Sequence, residues 1–200
     1  MGKTVEYYFA PQSPWTYLGH ARLVSMVQVA GSSVEVLPVD LGRIFPLSGG
    51  LPLAKRAPQR QAYRLLELRR FADYLGLPLQ VQPQFFPVVA DQAARLITAV
   101  NLHAGATAAL RLTGAILAAV WAQQRNIAEP ATLAELLTES GLGPQWLDRS
   151  EDEAVQQRYQ AATQRALDVG VFGAPTYRIA GEMFWGQDRL DFVARCLASA

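Results

Sequence analysis

Residues 4–18 read TVEYYFAPQSPWTYL, and this stretch indicates a strand, a loop and the start of a helix. Its first six residues are β-branched or aromatic at five positions, which predicts a strand over Thr4–Phe9. Ser13 is a favoured N-cap residue and Pro14 suits the first helical position, so a helix should begin directly after Ser13. Because a helix N-terminus carries unpaired N–H groups and partial positive charge, it stabilises an anion held beside Ser13.

Further strand patterns lie on both sides of the middle of the chain. Residues Val34–Val39 include three valines and follow the first helix after Gly31, which predicts a βαβ unit with two parallel neighbouring strands. Near the other end, Thr176–Ile179 and Glu182–Trp185 flank Ala180-Gly181. This pattern is typical of a β-hairpin.

The middle of the chain has a different character. From about Pro58 to Arg165, long helical patterns alternate with Gly and Pro breaks, and no strand pair is indicated. A last helix is expected from about Gln187 to Leu197. The order βαβ, helical block, ββα predicts an α/β protein with a thioredoxin-like fold. Residues 1–57 and 166–200 would form the thioredoxin-like domain, and residues 58–165 an all-helical insertion without a separating linker.

Charge and cysteine content argue against several classes of function. The 18 basic and 17 acidic residues give a net charge of +1, which predicts neither nucleic-acid binding nor attraction to an acidic membrane surface. The single cysteine, Cys196, excludes an internal disulfide, a two-thiol redox centre and a cysteine-rich zinc site. His20 and His103 lack acidic or cysteine partners at ligand spacing, so no metal site is expected.

The distribution of apolar residues predicts a cytoplasmic protein. The first residues run into a strand pattern without the long apolar stretch of a signal peptide. The most hydrophobic later run, Ala104 to Ala122, is interrupted by Arg111 and rich in small residues. A buried helix explains this run better than a membrane span.

The tetrapeptide Ser13-Pro14-Trp15-Thr16 carries the clearest chemical signal. Redox proteins of this fold place a Cys-x-x-Cys motif at such a helix start, where the first thiolate is stabilised. Here hydroxyls replace both sulfurs, which excludes disulfide exchange through this site. A hydroxyl at this position is suited to donating a hydrogen bond to the thiolate of another molecule. The alternative is that Ser13 serves only as an N-cap.

Two more elements surround the predicted hairpin. Gly173-Ala174-Pro175-Thr176 places a proline at a strand entry, which indicates a special turn with a cis bond, or else an ordinary turn proline. Gln187 and Asp188 begin the last helix. Free N–H groups there can hold a carboxylate and Asp188 can pair with an ammonium, both of which the γ-glutamyl end of glutathione offers. Alternatively, Asp188 is a helix-start acid favoured by the dipole.

In this order, these elements resemble the 2-hydroxychromene-2-carboxylate isomerases and their kappa-class glutathione transferase relatives. The resemblance covers essentially the whole chain. The segments that carry it are Tyr8-Phe9, Ser13-Pro14-Trp15-Thr16-Tyr17-Leu18, Asp40-Leu41, Phe86-Pro87-Val88, Val120-Trp121, Val171-Phe172-Gly173-Ala174-Pro175-Thr176 and Phe184-Trp185-Gly186-Gln187-Asp188-Arg189-Leu190. Each is weak alone, whereas the ordered set is specific.

The resemblance implies a glutathione-dependent cis–trans isomerase that acts on an unsaturated aromatic pyruvate during bacterial breakdown of naphthalene-like compounds. It also implies a homodimer. Ser13 would be the catalytic hydroxyl, acting on the glutathione sulfur. The residues implied in glutathione binding are Trp15, Arg60, Ala174, Pro175, Gln187 and Asp188, with Ala174 and Pro175 beside the cysteinyl unit and the last two at the γ-glutamyl end.

The chain departs from the family at three positions. The family commonly has a Gly-Asn pair where this chain has Gly49-Gly50, often has asparagine at Val89, and often has tryptophan at Phe71. These departures leave the strength of glutathione binding and the identity of the electrophile open.

A basic stretch follows the first of these departures. Arg56, Arg60 and Arg64 recur every four residues, and a helix carrying the last two would present guanidinium groups to a carboxylate of glutathione or substrate. The alternative interpretation is a solvated charged face.

Two other functions remain open from the sequence. One is a kappa-like glutathione transferase or peroxidase that acts on another electrophile. The other is a non-catalytic thioredoxin-fold module that binds glutathione or an extended peptide.

Overall fold

A computed structural model describes residues 2–199, and its centre is a four-stranded mixed sheet of order β2-β1-β3-β4. Strand β1 (Thr4–Phe9) runs parallel to β2 (Ser33–Pro38) and antiparallel to β3 (Thr176–Ile179). Strand β4 (Glu182–Trp185) completes a hairpin with β3 through Ala180-Gly181, where both residues have positive φ. The predicted parallel pair and hairpin are therefore confirmed.

Eight α-helices surround this sheet in the described part of the chain. They are α1 (Pro14–Val29), α2 (Leu41–Ser48), α3 (Pro58–Leu75), α4 (Asp91–Trp121, with a kink at the non-helical Gly105), α5 (Pro130–Glu139), α6 (Gln145–Arg149), α7 (Glu153–Asp168) and α8 (Leu190–Ala198). The helical block predicted between the two strand pairs corresponds to α3–α7. The predicted last helix begins with a 3₁₀ turn over Gln187–Arg189, and α2, which the sequence analysis missed, is capped by Asp40.

The core joins the sheet to the helical segment without a break. Tyr7, Tyr8 and Phe9 of β1 are fully buried, and the Tyr7 ring stacks on Tyr177 of β3 with 5.6 Å between centroids. One continuous apolar cluster runs from β1 through α1 to α4 and α5. By length and composition α4 is long and apolar enough to cross a membrane, yet 50% of its most apolar window is buried in the fold. It packs on α1, β2 and α7 as a core helix.

Strand register brings three loops to one edge of the sheet. Because β1 and β3 are antiparallel, the end of β1 lies beside the start of β3, and Tyr8 is paired with Thr176. Thr176 is paired in turn with Trp185 at the end of β4, and the Gly186 N–H donates to the Pro175 carbonyl at 2.9 Å. The loop before α1, the turn before β3 and the turn after β4 therefore share this edge.

Candidate active site

Ser13 caps the start of α1 and leaves two hydrogen-bond donors unused. Its Oγ accepts the Thr16 N–H at 3.2 Å, and its carbonyl accepts the Tyr17 N–H at 3.1 Å. Among residues 2–199, neither the Ser13 O–H nor the Trp15 N–H has an acceptor. Since both lie at the positive end of a helix, they can stabilise an anion at the sheet edge.

The loop that carries Ser13 is fixed from two directions. The Ser13 N–H donates to the Ala10 carbonyl at 3.0 Å, which closes a turn after β1. The indole N–H of Trp121, at the end of α4, donates to the Gln12 carbonyl at 3.2 Å. The position of the Ser13 loop therefore depends on α4, a helix that is distant in the sequence.

The second hydroxyl of the tetrapeptide is enclosed. Thr16 is 0% exposed and Ser13 is 7% exposed. The Thr16 Oγ1 has no hydrogen-bond partner in the described chain. Of the two residues that replace the thiols of a redox protein, only Ser13 keeps any exposed surface.

The turn before β3 has the predicted cis bond between Ala174 and Pro175. The Gly173 carbonyl accepts the Thr176 hydroxyl at 2.7 Å, and the Pro175 carbonyl is used by Gly186. Between them, the backbone N–H and carbonyl of Ala174 have no partner among residues 2–199. An extended peptide-like ligand can therefore pair with Ala174 as an added strand would.

The turn after β4 separates the two residues predicted to bind there. Asp188 is exposed, and its carboxylate accepts from Arg189 at 2.6 Å. The Gln187 side chain, 1% exposed, faces α1, where its Oε1 accepts from Arg22 at 3.3 Å. This arrangement leaves the Asp188 carboxylate as the exposed group of this pair, since the Gln187 carbonyl also accepts from Arg22 at 3.4 Å.

Two arginines on α3 have opposite environments. Arg60 is exposed in the first turn and is not brought to the other predicted site residues by any hydrogen bond or ion pair of the described chain. Arg64, one turn later, is 8% exposed, with its guanidinium over the rings of Phe86 at 5.2 Å and Trp121 at 5.7 Å. A solvated charged face is thus right for Arg60 and wrong for Arg64.

Burial also changes the titration of Arg64. Desolvation, reinforced by the charge of Arg56, lowers the pKa of the Arg64 guanidinium to about 10. The sequence analysis offered Arg64 for a ligand carboxylate only together with Arg60, although a signal that separates the two was present. Arg64, Leu68 and Ala72 recur every four residues and form the buried stripe of α3, so an arginine stood in an apolar pattern.

The three departures from the family have different structural consequences. A Cβ at Gly50 would lie 2.4 Å from the Phe45 ring, so this ring occupies the space that a side chain at Gly50 would need. Phe71 keeps an aromatic contact, edge-on to Trp15 with 6.0 Å between centroids. Val89 is 73% exposed.

His20 lies on the buried face of α1 and belongs to the fold. Its Nε2 contacts the Leu110 carbonyl at 2.9 Å and its Nδ1 contacts the Tyr7 hydroxyl at 3.2 Å. Since a carbonyl only accepts, Nε2 carries the proton and Nδ1 accepts from Tyr7. Burial lowers the pKa of His20 to about 4. Residues 2–199 contain no group of three or more side chains arranged to hold a metal ion.

Comparison with known proteins agrees with this arrangement. The DSBA-like thioredoxin domain matches residues 4–198. The chain is 31% identical over 194 residues to 2-hydroxychromene-2-carboxylate isomerase of Pseudomonas putida. The aligned region covers 93% of this chain and 90% of the relative. The chain is 23% identical over 207 residues to human glutathione S-transferase kappa 1, with coverage of 98% and 91%. A solved structure of 2-hydroxychromene-2-carboxylate isomerase superposes with a TM-score of 0.81 at 26% identity, covering 96% of this chain and 93% of that one.

These relatives are enzymes, and their similarity spans the described strands, the Ser13 loop and the helical segment together. The family model and the isomerase relative each cover most of the chain. The chain therefore belongs to the DSBA-like thioredoxin-domain proteins and, among them, to the 2-hydroxychromene-2-carboxylate isomerase family.

Proposed function

We propose that this protein is a glutathione-dependent cis–trans isomerase of the 2-hydroxychromene-2-carboxylate type. One observation carries the proposal: the Ser13 O–H and the Trp15 N–H are both unpaired in the described chain, at a helix start that shares one edge of the sheet with the cis-proline turn. Two unpaired donors and a helix dipole suit an anionic sulfur. Because Ser13 and Thr16 stand where a redox protein of this fold has its thiols, the sulfur would come from another molecule.

The residues around Ser13 fit glutathione, an extended tripeptide with a central thiol. The free N–H and carbonyl of Ala174 match the backbone of its cysteinyl unit. The exposed carboxylate of Asp188 matches the ammonium of its γ-glutamyl end. When bound, glutathione supplies a thiolate that adds to a conjugated carbon and later leaves, so that the former double bond can rotate between the two events.

Ser13 keeps its own proton in this scheme. Because Oγ already accepts from the Thr16 N–H, the hydroxyl proton points away from the helix and donates to the sulfur. Lowering a thiol pKa by about two units needs about 2.7 kcal/mol of preferential thiolate stabilisation. One charge-assisted hydrogen bond and a helix terminus supply that amount, so most of the bound thiol is ionised near pH 7.

A kappa-like transferase is the second candidate, favoured by the similarity to the human kappa-class protein. The two reactions share the thiolate and differ in the fate of the adduct. A transferase releases a stable thioether, whereas an isomerase expels the thiol and returns glutathione unchanged.

The test is spectrophotometric conversion of 2-hydroxychromene-2-carboxylate with and without glutathione. Conversion that requires glutathione, with no glutathione consumed over many turnovers, supports the isomerase. Thioether accumulation would replace it with the transferase. Glutathione binding without turnover of any electrophile would indicate a non-catalytic module.

We also propose that the protein acts as a cytoplasmic homodimer in the breakdown of naphthalene-like aromatics. The homodimer and the pathway rest on the family resemblance, and the compartment on the reducing cytoplasm in which glutathione is abundant. Light scattering coupled to size-exclusion chromatography tests the assembly, since a mass of one 21.9 kDa chain would contradict it.

A further inference from the structure

Arg64 is a buried charge without a partner. It is 8% exposed, and in the described chain no carboxylate oxygen lies within 4.0 Å of its guanidinium nitrogens. None of its five N–H donors makes a hydrogen bond to residues 2–199. By contrast, Arg95 and Arg125 each pair with two carboxylates. Burying an unpaired charge costs several kcal/mol, so the fold leaves Arg64 prepared for an anion.

The position of Arg64 joins it to the Ser13 loop. Its guanidinium lies over the Trp121 ring, and the indole N–H of Trp121 donates to the Gln12 carbonyl. Gln12 directly precedes Ser13. Seven residues along α3 from Arg64, Phe71 packs edge-on against Trp15, the residue whose free N–H lies at the helix start. Arg64 therefore borders the Ser13 loop from the side of α3.

The guanidinium also remains reachable. Its nitrogen atoms are not among the completely enclosed side-chain atoms that lack a partner, so each keeps some contact with solvent. Its two aromatic neighbours, Phe86 and Trp121, pack on each other with 4.8 Å between ring centroids and form one apolar surface beneath the guanidinium. A guanidinium beside an aromatic surface suits an apolar molecule that carries one carboxylate.

The surroundings of Arg64 are positive. Arg56 lies close enough that its charge disfavours the charged form of Arg64, and Arg60 acts on Arg56 in the same way. Neither Arg56 nor Arg60 has a carboxylate within 4.0 Å in the described chain. Three arginines without acidic partners concentrate positive potential at this edge of α3, which attracts an anionic ligand.

We propose that Arg64 binds a carboxylate of the ligand held beside Ser13 and makes the site selective for anionic molecules. This inference rests on the proposed function for the identity of the ligand. The carboxylate has two sources, the aromatic substrate and the glycine end of glutathione. In both, the planar guanidinium can form two parallel N–H to oxygen bonds.

The substrate arm uses trans-cinnamate as the probe, with methyl cinnamate as its uncharged match. Binding to the full chain is measured by calorimetry without glutathione. We expect the wild type to bind cinnamate at least tenfold more tightly than the methyl ester. Arg64→Met should abolish that preference while leaving methyl cinnamate binding unchanged. Arg69→Met, an exposed arginine of the same helix, is the matched control and should leave the preference intact.

The glutathione arm compares glutathione with its glycine ethyl ester. If the glycine carboxylate is the ligand of Arg64, Arg64→Met weakens glutathione about tenfold and leaves the ester unaffected, and cinnamate shows no preference. Arg64→Lys keeps a charge without the planar fork, and should retain part of the preference in whichever arm responds.

The inference is overturned if the wild type prefers neither carboxylate over its ester, a result that needs no variant to fold. It is also overturned if Arg64→Met weakens charged and uncharged probes equally, since that is the signature of lost packing. A carboxylate preference that persists in a protein without glutathione-dependent turnover would refute the proposed function and leave the role of Arg64 standing.

Discussion

The environments of His20 and Arg64 show how two regions with similar burial can serve different purposes. His20, on the buried face of α1, is 6% exposed, and Arg64, over the rings of Phe86 and Trp121, is 8% exposed. Both ring nitrogens of His20 have partners, whereas no donor of Arg64 has one in the described chain. Since a buried charge without a partner is costly, the fully paired His20 belongs to the fold, whereas the guanidinium of Arg64 is available to an anion.

The largest expected effect is at the helix start, where Ser13→Ala removes the open hydroxyl. We expect glutathione-dependent turnover to fall by about 100- to 1,000-fold, as when one donor to a developing anion is lost. The fold should lose only about 1 kcal/mol from the missing N-cap. Steady-state kinetics and thermal unfolding measure the two effects separately.

The matched control is Thr16→Val, because the Thr16 hydroxyl is enclosed and unpartnered. Its turnover should stay within about twofold of the wild type, since no charged group depends on it. Equal losses in the two variants would show that the open and enclosed hydroxyls do not differ in role.

The His20 region should instead control stability against acid. The pKa of His20 is about 4 in the fold and about 6.5 unfolded, so the unfolded chain takes up the proton first. Neutral His20 therefore contributes its full stabilisation above pH 6.5. As the pH falls from 6.5 towards 4, this stabilisation is lost, and the free energy of unfolding drops by about 3 kcal/mol. Urea titrations at several pH values measure this slope.

His20→Gln isolates that slope from the titration of surface carboxylates. The variant should be less stable at pH 7, and its free energy of unfolding should change less between pH 6.5 and pH 4. Identical slopes in the two proteins would mean that His20 is not held neutral by the fold.

Close packing behind the site is tested at Gly19. A Cβ there would lie 2.8 Å from the Gln187 Cβ and 2.9 Å from the Tyr177 hydroxyl. Gly19→Ala should lower the free energy of unfolding by about 1–3 kcal/mol through overpacking. The control, Gly114→Ala, meets only the His20 ring at 3.3 Å. The gain of about 0.5–1 kcal/mol in helix propensity offsets this close contact, so the melting temperature of Gly114→Ala should change little.

The smallest expected effect is at the open edge, where Asp188→Asn removes the carboxylate proposed to meet an ammonium. Because Asp188 is exposed, we expect glutathione affinity to fall only about fivefold, and the difference to shrink at high salt. Calorimetric titration measures it, with the exposed carboxylate of Asp191 as the control position. A larger loss of glutathione affinity in Asp191→Asn than in Asp188→Asn would show that Asp188 is not the residue that binds the γ-glutamyl end.

Local patterns were sufficient to predict much of the fold and part of the site. The strand composition of Thr4–Phe9, the cap at Ser13 and the turn at Ala180-Gly181 depend on neighbours a few residues away, and each prediction was confirmed. The cis bond before Pro175 was also anticipated. The helix α2 was missed because it is short and contains Pro46, which weakens a helical pattern.

The sequence by itself determined that hydroxyls stand where a redox protein has thiols, because residue identity alone excludes disulfide exchange. It also determined where α1 begins, since capping is a local interaction. Only the tertiary structure decided that Thr16 is fully enclosed while Ser13 keeps a small exposed surface, and that Gln187 faces α1 while Asp188 faces solvent. The same holds for Arg64, because whether a buried charge has a partner depends on Phe86 and Trp121, which are distant in the chain.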